Sequence, residues 1–584
     1  MRRIDAGVLV IGSGGAGMRA AIEASKNADV LLVSKGPLGR SGSTVLAGAD
    51  VMADGKSLHD LGIENDSSDS PDAWARDIVI EGFGLNDENL VEAYVNGAGE
   101  EIAELVRLGV TIRRAIPRAI ITTGMSICGA LRKGIAERGE SVSLLDNVMA
   151  IDLLTHGDRV VGALVLELVS GDLIAIQAKA TILATGGWHQ AYSFNAGPDE
   201  ATGDGQAMAY RAGAELIDME MVTFAPNILL APPRHRGSLW FYVLPGALLN
   251  SNGDAFLAWE NPKVAKLALT TEWNKLLFCK ASMREVLAGR GSPLGGVFFS
   301  MKHMPSNVFD LLEGRHPGWR FQGDDFSELM ERMRGGYAAE VGPAAEYFEG
   351  GVRINERCET SLPGLFAAGE CTGGLFGANR VAAATTEMLV EGAIAGREAG
   401  RVAAKGKPAD ADQGQVEALA EVARSPFSRE KGESVSEQRD RLREVAYRDV
   451  GVIREGSQLR GAVQALTDVV GATERIMLST ERREQNREWC SALELRNMAE
   501  VTLLSAMAAE TRTESRGVHM RQDCPDLDNA NWRKHIIARR EGGAPKLHLA
   551  NVVSSTELPA ETMSYEGAIV QAAEALERAG GDNE

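Results

Sequence analysis

The chain has 584 residues, 44% of them hydrophobic and 24% charged, which is the composition of a soluble globular protein with more than one domain. Its formal net charge of −20 argues against nucleic acid as a partner, since phosphate binding requires a basic face. No apolar stretch approaches the ~18 residues of a membrane span, and the six cysteines form no C-x-x-C pair, so we expect a cytoplasmic protein with reduced thiols, no membrane insertion and no metal cluster of its own.

The first predicted unit is a strand, a glycine-rich turn, a helix and a second strand within residues 6–36. The turn has G-x-G-x-x-G spacing and contains Gly12, Gly14, Gly15, Ala16 and Gly17. Such glycines allow a sharp turn, a close approach of the backbone to a pyrophosphate and tight packing of the helix on the strand. The second strand ends in Ser34 and Lys35, where an acidic residue usually binds a ribose hydroxyl. The turn therefore predicts dinucleotide binding. The Ser-Lys pair leaves two possibilities open: a cofactor with a phosphorylated ribose, or a subclass of flavoproteins that uses this pair.

Later segments alternate between regular and irregular patterns. Residues 141–187 are rich in β-forming residues and predict a hairpin that leads into a buried strand. Residues 223–343 are irregular, and we interpret them as an inserted domain. Strand and helix patterns then return, a polar stretch at 405–437 predicts a boundary, and helical periodicity dominates the remainder.

Several separated motifs occur in an order that resembles the flavoprotein-subunit family of succinate dehydrogenase and fumarate reductase, to which L-aspartate oxidase is related. Besides the glycine turn and the Ser34-Lys35 pair, they are RSGSTVLAG at 40–48, ATGG at 184–187, TGDG at 202–205, AAGEC at 367–371, GANR at 377–380 and RTESRGVHMRQDCPDLDNANWRKH at 512–535. The resemblance covers nearly the whole chain. It implies an α/β fold with a doubly wound FAD-binding domain at 1–225 and 344–425, an inserted α+β capping domain at 226–343, and a helical C-terminal domain at 435–584.

The resemblance implies FAD as the cofactor. The covalent enzymes of the family attach the flavin to a histidine, and Ser43 stands at that place here, so we expect non-covalent FAD. The implied FAD contacts are Gly12, Gly14, Gly15, Ala16, Gly17, Ser34, Lys35, Ser41, Ser43, Thr44, Gly48, Val148, Thr185, Gly186, Asp204, Glu370, Arg380, Thr385 and Thr386.

The resemblance also implies the catalytic residues. Arg284 corresponds to the family's proton-donating arginine, and Arg380 in GANR corresponds to an arginine that binds a substrate carboxylate. Glu346 stands where the family has a histidine. It is open whether Glu346 meets a cationic or hydroxyl group of the substrate, acts as a general base, or pairs with Arg284 or Arg380.

Other carboxylate-binding positions of the family are changed. Ala225 and Phe376 replace histidines, and a Thr-Glu pair falls on Ser238 and Leu239. A second carboxylate would then lie among residues that cannot bind it, at a cost of several kcal/mol. His235 and His303 in the capping segment are candidates to replace a lost histidine, although lone histidines in irregular segments are usually on the surface.

The sequence therefore predicts an FAD-dependent oxidoreductase that saturates or desaturates a carbon–carbon bond next to a carboxylate, with a substrate other than succinate or fumarate. We expect a small-molecule carboxylate as the substrate. The expected electron partner is a separate iron–sulfur or ferredoxin-like subunit, through which the protein could be peripheral to a membrane. The alternatives are a genuine succinate dehydrogenase or fumarate reductase flavoprotein, an amino-acid oxidase resembling L-aspartate oxidase, an enzyme resembling adenylylsulfate reductase, and a non-catalytic flavin electron-transfer subunit.

Overall fold

The computed structural model describes residues 1–238, 246–258, 261–268, 271–315, 317–321, 324–406, 409–556 and 562–581. Leu239, one of the positions considered above, lies outside these residues. Within the described part of the chain, no helix combines the length and the apolar character needed to cross a bilayer. All six cysteines are free thiols.

The first part of the chain contains the predicted strand, turn and helix. Its elements are β1 (Arg2–Ile11), α1 (Gly15–Ala24), β2 (Val30–Ser34), α2 (Ser43–Leu46), β3 (Asp50–Met52), α3 (Gly55–Asp60), α4 (Pro71–Glu81), α5 (Glu88–Leu108), β4 (Arg114–Ile116), β5 (Ala119–Ile121) and α6 (Gly124–Glu137). Between β1 and α1, Gly12 has a φ of +108°, which residues with a side chain rarely adopt. A Cβ atom on Gly17 would lie 1.8 Å from the carbonyl oxygen of Gly12, so only glycine lets α1 approach the turn this closely.

The main sheet is completed by the segment that follows. Its elements are β6 (Val142–Asp146), β7 (Val148–His156), β8 (Arg159–Glu167), β9 (Leu173–Leu183), α7 (Asp204–Ala212), β10 (Leu216–Ile217) and β11 (Val222–Leu229). The strands follow the order β6-β2-β1-β9-β8-β7, with parallel pairing from β6 to β9 and antiparallel pairing of β7, β8 and β9. The core of the sheet is apolar on both faces, as expected for parallel strands covered by helices. The β-rich prediction for 141–187 is therefore confirmed.

The inserted segment forms a cap of mixed helices and strands. Its elements, and those of the return to the main sheet, are β12 (Ala247–Leu249), α8 (Pro262–Leu267), α9 (Thr271–Leu287), β13 (Val297–Ser300), α10 (Ser306–Arg315), β14 (Arg320–Phe321), β15 (Asp324–Asp325), α11 (Ser327–Arg334), β16 (Ala339–Phe348), β17 (Gly351–Arg353), β18 (Leu365–Ala367), β19 (Thr372–Gly373) and α12 (Ala384–Lys405). A sheet with the order β11-β16-β13-β12 joins the chain entering the cap to the chain leaving it. β18 then pairs with β9 in the main sheet.

Helix α12 packs closely on α1 because it presents glycine at every fourth position. A Cβ atom on Gly392, Gly396 or Gly400 would come within 3.0 Å of a carbonyl oxygen of α1. Residues four apart lie on one face of a helix, so the three glycines form a single groove for α1. This packing places the N-terminus of α12 beside the glycine turn.

The C-terminal part begins with helices, as the periodicity predicts, and contains a β-hairpin near its end. Its elements are α13 (Gln413–Arg424), α14 (Val435–Asp449), β20 (Ile453–Arg454), α15 (Gly456–Thr473), α16 (Arg487–Thr511), β21 (Met520–Arg521), β22 (Asp526–Asp528), α17 (Asn529–Trp532), β23 (Lys534–Glu541), β24 (Ala544–Asn551), β25 (Thr562–Ser564) and α18 (Tyr565–Gly581). The domain is mainly helical, as expected, and the hairpin of β23 and β24 adds two strands to the sheet β19-β17-β10. Gly542 and Gly543, with φ of +58° and +86°, make its two-residue turn, a sequence signal for a hairpin.

Candidate active site

A cavity of about 1290 Å³ opens at the carboxyl ends of β1, β2 and β9, beneath the cap. Ligands of doubly wound sheets bind at this edge, outside the strand ends. The volume exceeds the ~300–1,000 Å³ of most small-molecule pockets. It therefore has room for a dinucleotide cofactor at the sheet and a substrate at the cap.

Most of the predicted cofactor residues line this cavity. They are Gly12, Gly14, Gly15, Ala16, Ser34, Lys35, Ser41, Ser43, Thr44, Gly48, Val148, Thr185, Gly186, Asp204, Glu370, Arg380 and Thr385. Gly17 and Thr386 are not among the lining residues. Gly17 packs against the backbone of Gly12, and the hydroxyl of Thr386 accepts a hydrogen bond from the backbone N–H of Met52 at 2.7 Å. These two residues therefore contact the backbone around the cavity and do not line the space for a ligand.

The turn at the start of α1 fits a pyrophosphate. The N-cap, Gly14, provides no side-chain hydrogen bond, and the first turn of α1 contains no acidic residue. Backbone N–H groups and the positive end of the helix dipole therefore remain available to an anion. A Cβ atom on Gly14 would meet nothing closer than 3.5 Å, so the approach to the turn is open.

Lys35 and Asp204, both predicted cofactor residues, form an ion pair with each other. The Lys35 ammonium lies 2.7 Å from Asp204 and 2.9 Å from Glu494 of α16. Burial opposes the charged form of Lys35, but the two carboxylates outweigh it and raise its pKa. The C-terminal helices thus reach the cofactor end of the cavity, which sequence reasoning missed.

Glu370 provides a polar atom suited to a ribose hydroxyl. Its Oε1 accepts no hydrogen bond from the described residues, although it lies 3.2 Å from Nε2 of the buried His189. Burial raises the pKa of Glu370 to about 8, so the carboxyl is mostly protonated at neutral pH. Burial likewise lowers the pKa of His189 to about 4, and its Nε2 lies 2.8 Å from the carbonyl oxygen of Glu346. A neutral carboxyl can both donate to and accept from a sugar hydroxyl.

The loop at 41–48 and the start of α12 enclose the cavity from the other side. The backbone N–H of Gly15 donates to the hydroxyl of Thr44 at 3.0 Å, which joins the loop to the glycine turn. The hydroxyl of Thr385 donates to the carbonyl oxygen of Asp50. Helix α12 starts at Ala384 without a side-chain cap, so its positive end faces the cavity. Together with the turn and Glu370, these groups fit FAD.

Three charged side chains form the substrate end of the cavity: Lys275 on α9, Glu346 on β16 and Arg380 on the loop before α12. Glu346 Oε2 lies 3.0 Å from Lys275 Nζ and 3.5 Å from a guanidinium nitrogen of Arg380. Burial opposes the charged form of Glu346, but the two cations outweigh it and lower its pKa. Glu346 is therefore ionised at neutral pH, which supports the paired state and disfavours a role as a general base.

Arg284, the predicted proton donor, does not reach the cavity. Its side chain is exposed on α9, and it lies near Lys280, whose pKa is lowered to about 8 by burial and by the charge of Arg284. Lys275 and Arg284 are nine positions apart, which is about two and a half helical turns, so they point to opposite faces of α9. The only sequence signal for Lys275 is weak: it is a charged residue beside three apolar ones, Leu276, Leu277 and Phe278.

The two candidate histidines of the cap also lie outside the lining. His235 is buried with its ring centroid 4.6 Å from that of Phe326, and His303 is exposed. Ala225 and Phe376 are buried and do not line the cavity either. Ser238 does line it, and its hydroxyl donates to Asp324 at 2.7 Å.

Tyr347 lies beneath Arg380 and connects it to α12. The guanidinium carbon is 4.7 Å from the centroid of the Tyr347 ring, a cation–π distance. The Tyr347 hydroxyl donates to Glu387 in the first turn of α12. Burial raises the pKa of Glu387 to about 8, and the positive charge of Arg380 only partly opposes this.

The long motif near the C-terminus holds the loop that carries Arg380. The backbone N–H of Val518 donates to the carbonyl oxygen of Ala378 at 2.8 Å. The buried Arg516 donates to the carbonyl oxygen of Phe83 at 2.6 Å, while the backbone N–H of Ala378 donates to Gly82 at 3.0 Å. This explains why that motif, far from the cavity in sequence, accompanies the cofactor motifs.

Two family models match the chain. The first, described as FAD binding domain, matches residues 7–118 and 113–386, and the second, described as Fumarate reductase flavoprotein C-term, matches residues 439–565. The first match contains the glycine turn and all three charged residues of the substrate end. The second contains the motif that holds the Arg380 loop.

Proteins that are similar to this chain along nearly its whole length indicate the same family as these two models. One of the subunits of the fumarate reductase (CoM/CoB) of Methanothermobacter marburgensis is 32% identical over 561 residues, which cover 91% of this chain and 97% of the relative. A solved quinol fumarate reductase variant of Escherichia coli is 25% identical, with a TM-score of 0.81 and coverage of 96% of this chain and 99% of that chain. Adenylylsulfate reductase of Archaeoglobus fulgidus, 18% identical with a TM-score of 0.76, covers 96% of this chain and 97% of its own, and shares the fold alone.

The expectations of an α/β fold, of FAD as the cofactor and of an oxidoreductase are thereby confirmed, since the matching families and relatives share them over nearly the whole chain. The chain belongs to the flavoprotein-subunit family of fumarate reductase and succinate dehydrogenase and is an FAD-dependent oxidoreductase.

Proposed function

We propose that the protein transfers hydride between FAD and a carbon–carbon bond next to a carboxylate, in a substrate other than succinate or fumarate. The observation that carries this proposal is the group formed by Lys275, Glu346 and Arg380, which faces the same cavity as the glycine turn. It combines a carboxylate-binding arginine and a buried proton carrier at the end of a cofactor site.

FAD supplies the hydride acceptor or donor, and the protein's residues bind the substrate and move the proton. Arg380 binds the carboxylate through two parallel hydrogen bonds, for which its planar guanidinium is suited. Tyr347 keeps that guanidinium in place from below. Lys275 donates a proton from Nζ to the substrate carbon when the bond is reduced, or removes it when the bond is oxidised. The side chains of Lys275 and Arg380 are largely buried, so their charges act at a lower dielectric than in bulk water.

Succinate and fumarate fit this site poorly. Both carry two carboxylates, whereas Ala225 and Phe376, which stand where the family has histidines, are buried and do not line the cavity, so they supply no contact to a second carboxylate. Glu346, ionised within the site, would repel a carboxylate placed beside it. A substrate with different chemistry at its second end avoids both problems.

The flavin is proposed to be dissociable. Ser43 lines the cavity at the start of α2, and a serine hydroxyl does not form the histidyl–flavin bond. Acid precipitation of the protein should leave the yellow colour in the supernatant. A yellow pellet that survives washing in denaturant would contradict this point.

A separate electron-carrying subunit is proposed as the partner, an iron–sulfur or ferredoxin-like protein. The support is that the relatives are named as subunits, among them the flavoprotein subunits of fumarate reductase. Membrane association, if it occurs, would then come from such a partner.

The test of the proposed reaction is an anaerobic reoxidation assay. The FAD-loaded protein is reduced with dithionite, and the flavin absorbance is followed after adding a panel of 2-enoates with one carboxylate, with fumarate alongside. Rapid reoxidation by a mono-enoate and slow reoxidation by fumarate are expected, and the corresponding saturated acids serve as the control. If the natural direction is oxidation, saturated acids should instead bleach the oxidised flavin. No response to any acid in either direction would refute the proposal.

Fumarate reduction is the second candidate, because a relative named as part of a fumarate reductase is 32% identical over 91% of the chain. In that case fumarate would reoxidise the reduced protein faster than every mono-enoate of the panel. The same experiment therefore separates the two candidates.

A further inference from the structure

We infer that Trp273 on α9 and Tyr565, the first residue of α18, are positioning residues of the substrate end. They hold α9, which carries Lys275, against the segments that also hold the loop of Arg380, and so fix Lys275 relative to Arg380. This inference rests on the proposed function, because it concerns the residues that bind the substrate and move the proton. It is carried by contacts at two places on one face of α9.

Helix α9 packs with one face and presents Lys275 from the other. Trp273 and Lys280 are seven positions apart, about two full helical turns, so they lie on the same face. Leu276 and Leu277 continue this face between them and are buried. Lys275 is offset from Trp273 by two positions, which is about 200° around the helix, and it lines the cavity. A movement of the packed face would therefore move Lys275 within the cavity.

Near the start of α9, Trp273 packs on the end of α4 and the turn that follows it. Its side chain is buried, its indole N–H donates to the carboxylate of Glu81 at 3.2 Å, and its ring centroid lies 5.7 Å from that of Phe83. The same segment supports the residue before Arg380, because the carbonyl oxygen of Glu81 accepts a hydrogen bond from the side-chain amide of Asn379 at 3.3 Å. Trp273 therefore anchors α9 on a support of the Arg380 loop.

Two turns further along α9, Lys280 packs on Tyr565. The Lys280 Nζ lies 3.9 Å from the centroid of the Tyr565 ring, a cation–π distance, and burial lowers the pKa of Lys280 to about 8, so most of it is charged at pH 7. The buried Tyr565 hydroxyl donates to the carbonyl oxygen of Gly517 at 2.7 Å. Gly517 lies against Ala378, since a Cβ atom on this glycine would be 1.8 Å from the Ala378 carbonyl oxygen. Tyr565 therefore joins α9 to the loop that carries Arg380.

The cap also contacts α18 through ion pairs on the surface. Lys263 of α8 lies 2.9 Å from Glu574, and the two side chains are 41% and 42% exposed. Such pairs contribute little to stability, because solvent screens them. The two buried aromatic side chains, Trp273 and Tyr565, are therefore the contacts to change.

Cys279 serves as a probe for the placement of α9 that needs no substrate. It follows Phe278 and precedes Lys280 on the helix, is buried, and donates its S–H to the carbonyl oxygen of Phe224 in β11 at 3.1 Å. Cys358 and Cys371 are buried as well, but they lie against α12 and β9. A displacement of α9 should therefore expose Cys279 alone, whereas a general loss of stability should expose all three thiols.

The first test measures alkylation of these thiols by iodoacetamide in the FAD-loaded protein, site by site, by mass spectrometry. Y565L and W273L should raise the rate at Cys279 at least tenfold and leave the other two thiols unchanged. If a leucine variant does not fold, Y565F, which loses only the hydroxyl, and W273F, which loses the indole N–H, should raise it two- to fivefold. Y337L is the matched control, because the guanidinium carbon of Arg332 lies 3.9 Å from the Tyr337 ring centroid beside α11, away from α9. Its rates should equal those of the original protein.

The second test asks whether this placement acts through Lys275. At a saturating concentration of the acid that reoxidises the flavin fastest, W273L should slow reoxidation about tenfold. When Lys275 is already replaced in K275M, adding W273L should change the rate less than twofold, because the group that Trp273 positions is gone. The FAD content of all four proteins should be the same.

Unchanged labelling of Cys279 in both leucine variants, or equal increases at all three thiols, would overturn the inference. Selective labelling with an unchanged rate of reoxidation, or with the same tenfold loss in the K275M background, would also overturn it, because α9 would then be held without positioning Lys275. If no acid changes the flavin spectrum of the original protein in either direction, the proposed function has failed, and the labelling of Cys279 alone decides whether these contacts hold α9 in place.

Discussion

The cofactor end and the substrate end of the cavity are formed by different kinds of chemical group. The cofactor end is formed largely by backbone groups and small residues of short motifs, such as the glycine turn at 12–17 and the loop at 41–48. The substrate end consists of three charged side chains on separate elements, from Lys275 on α9 to Arg380 before α12. Only the fold brings these three together.

This difference determines what each end tolerates. A backbone cradle for phosphate depends on the absence of side chains, so its motif stays recognisable while the substrate changes. The substrate end depends on a few side chains, and each replacement there alters the charge that a ligand must carry. Family membership therefore identifies the cofactor of this protein, and we propose that its own residues at positions 275, 346 and 380 select the substrate.

The largest effect should come from removing the proton carrier of the substrate end. K275M should slow reoxidation of the reduced flavin by the best mono-enoate 100- to 10,000-fold, the usual contribution of a general acid. FAD content should not change, because Lys275 lies away from the glycine turn. Anaerobic stopped-flow absorbance measures the rate, and the absorbance spectrum gives the FAD content.

R284Q is the matched control for this prediction, since Arg284 lies on the same helix but faces away from the cavity. Its rate should stay within twofold of the original protein. A large loss in R284Q with little change in K275M would show that the sequence-based choice of Arg284 was right.

The cofactor end should respond in the opposite way. G17V places a side chain where a Cβ atom would already be 1.8 Å from the carbonyl oxygen of Gly12, so the turn must move. FAD content should fall at least tenfold, whereas the substrate end is untouched. The measurement is the ratio of flavin to protein absorbance after purification and after incubation with excess FAD. G129V, on α6 where a Cβ atom meets nothing within 4 Å, should retain FAD.

Most residues that the sequence predicted for the cofactor line the cavity, whereas only some of those predicted for the substrate do. The glycine turn, Glu370 and Asp204 could be placed because each belongs to a short motif next to a strand end or helix start. Arg380 could be placed for the same reason. Lys275 could not be placed, because the face of α9 that meets the cavity depends on how this helix packs against β11 and β16. Counting residues along a family motif led instead to Arg284, which lies on the opposite face of α9 from Lys275.

The C-terminal part teaches a similar lesson. Helical periodicity correctly predicted α14, α15 and α16. The hairpin of β23 and β24 was missed because its burial depends on pairing with β10, more than three hundred residues earlier. Likewise, no local pattern indicates that Glu494 reaches Lys35.

A buried acid at the cofactor end should make the FAD-free protein less stable as the pH rises. The pKa of Glu370 is raised from 4.5 to about 8 in the folded protein, so the folded state holds a proton that the unfolded state has released between these values. Its contribution to stability is complete below about pH 4.5 and is lost as the pH rises to about 8, at up to ~1.4 kcal/mol per pH unit.

Thermal unfolding of the FAD-free protein between pH 5 and 9 tests this. E370Q should flatten the decline in Tm, and the part that remains should come from other buried acids, among them Glu349 and Glu387, whose pKa values are raised to about 7 and about 8. E92Q, which changes an exposed acid, should leave the decline as it was. An identical pH dependence for E370Q and the original protein would contradict the prediction.

The smallest expected effect is also the most informative about substrate choice. E346Q removes the negative charge between Lys275 and Arg380 and leaves two buried cations with only an amide between them. The net charge of the site becomes one unit more positive, so the site should accept a dicarboxylate better than before. Succinate should bind about tenfold more tightly, a modest gain because the glutamine does not supply the missing histidine contacts. Hexanoate, which has a single carboxylate, should gain less. Calorimetric titration of both ligands against both proteins measures this difference. Equal changes for succinate and hexanoate would mean that Glu346 does not select against a second carboxylate.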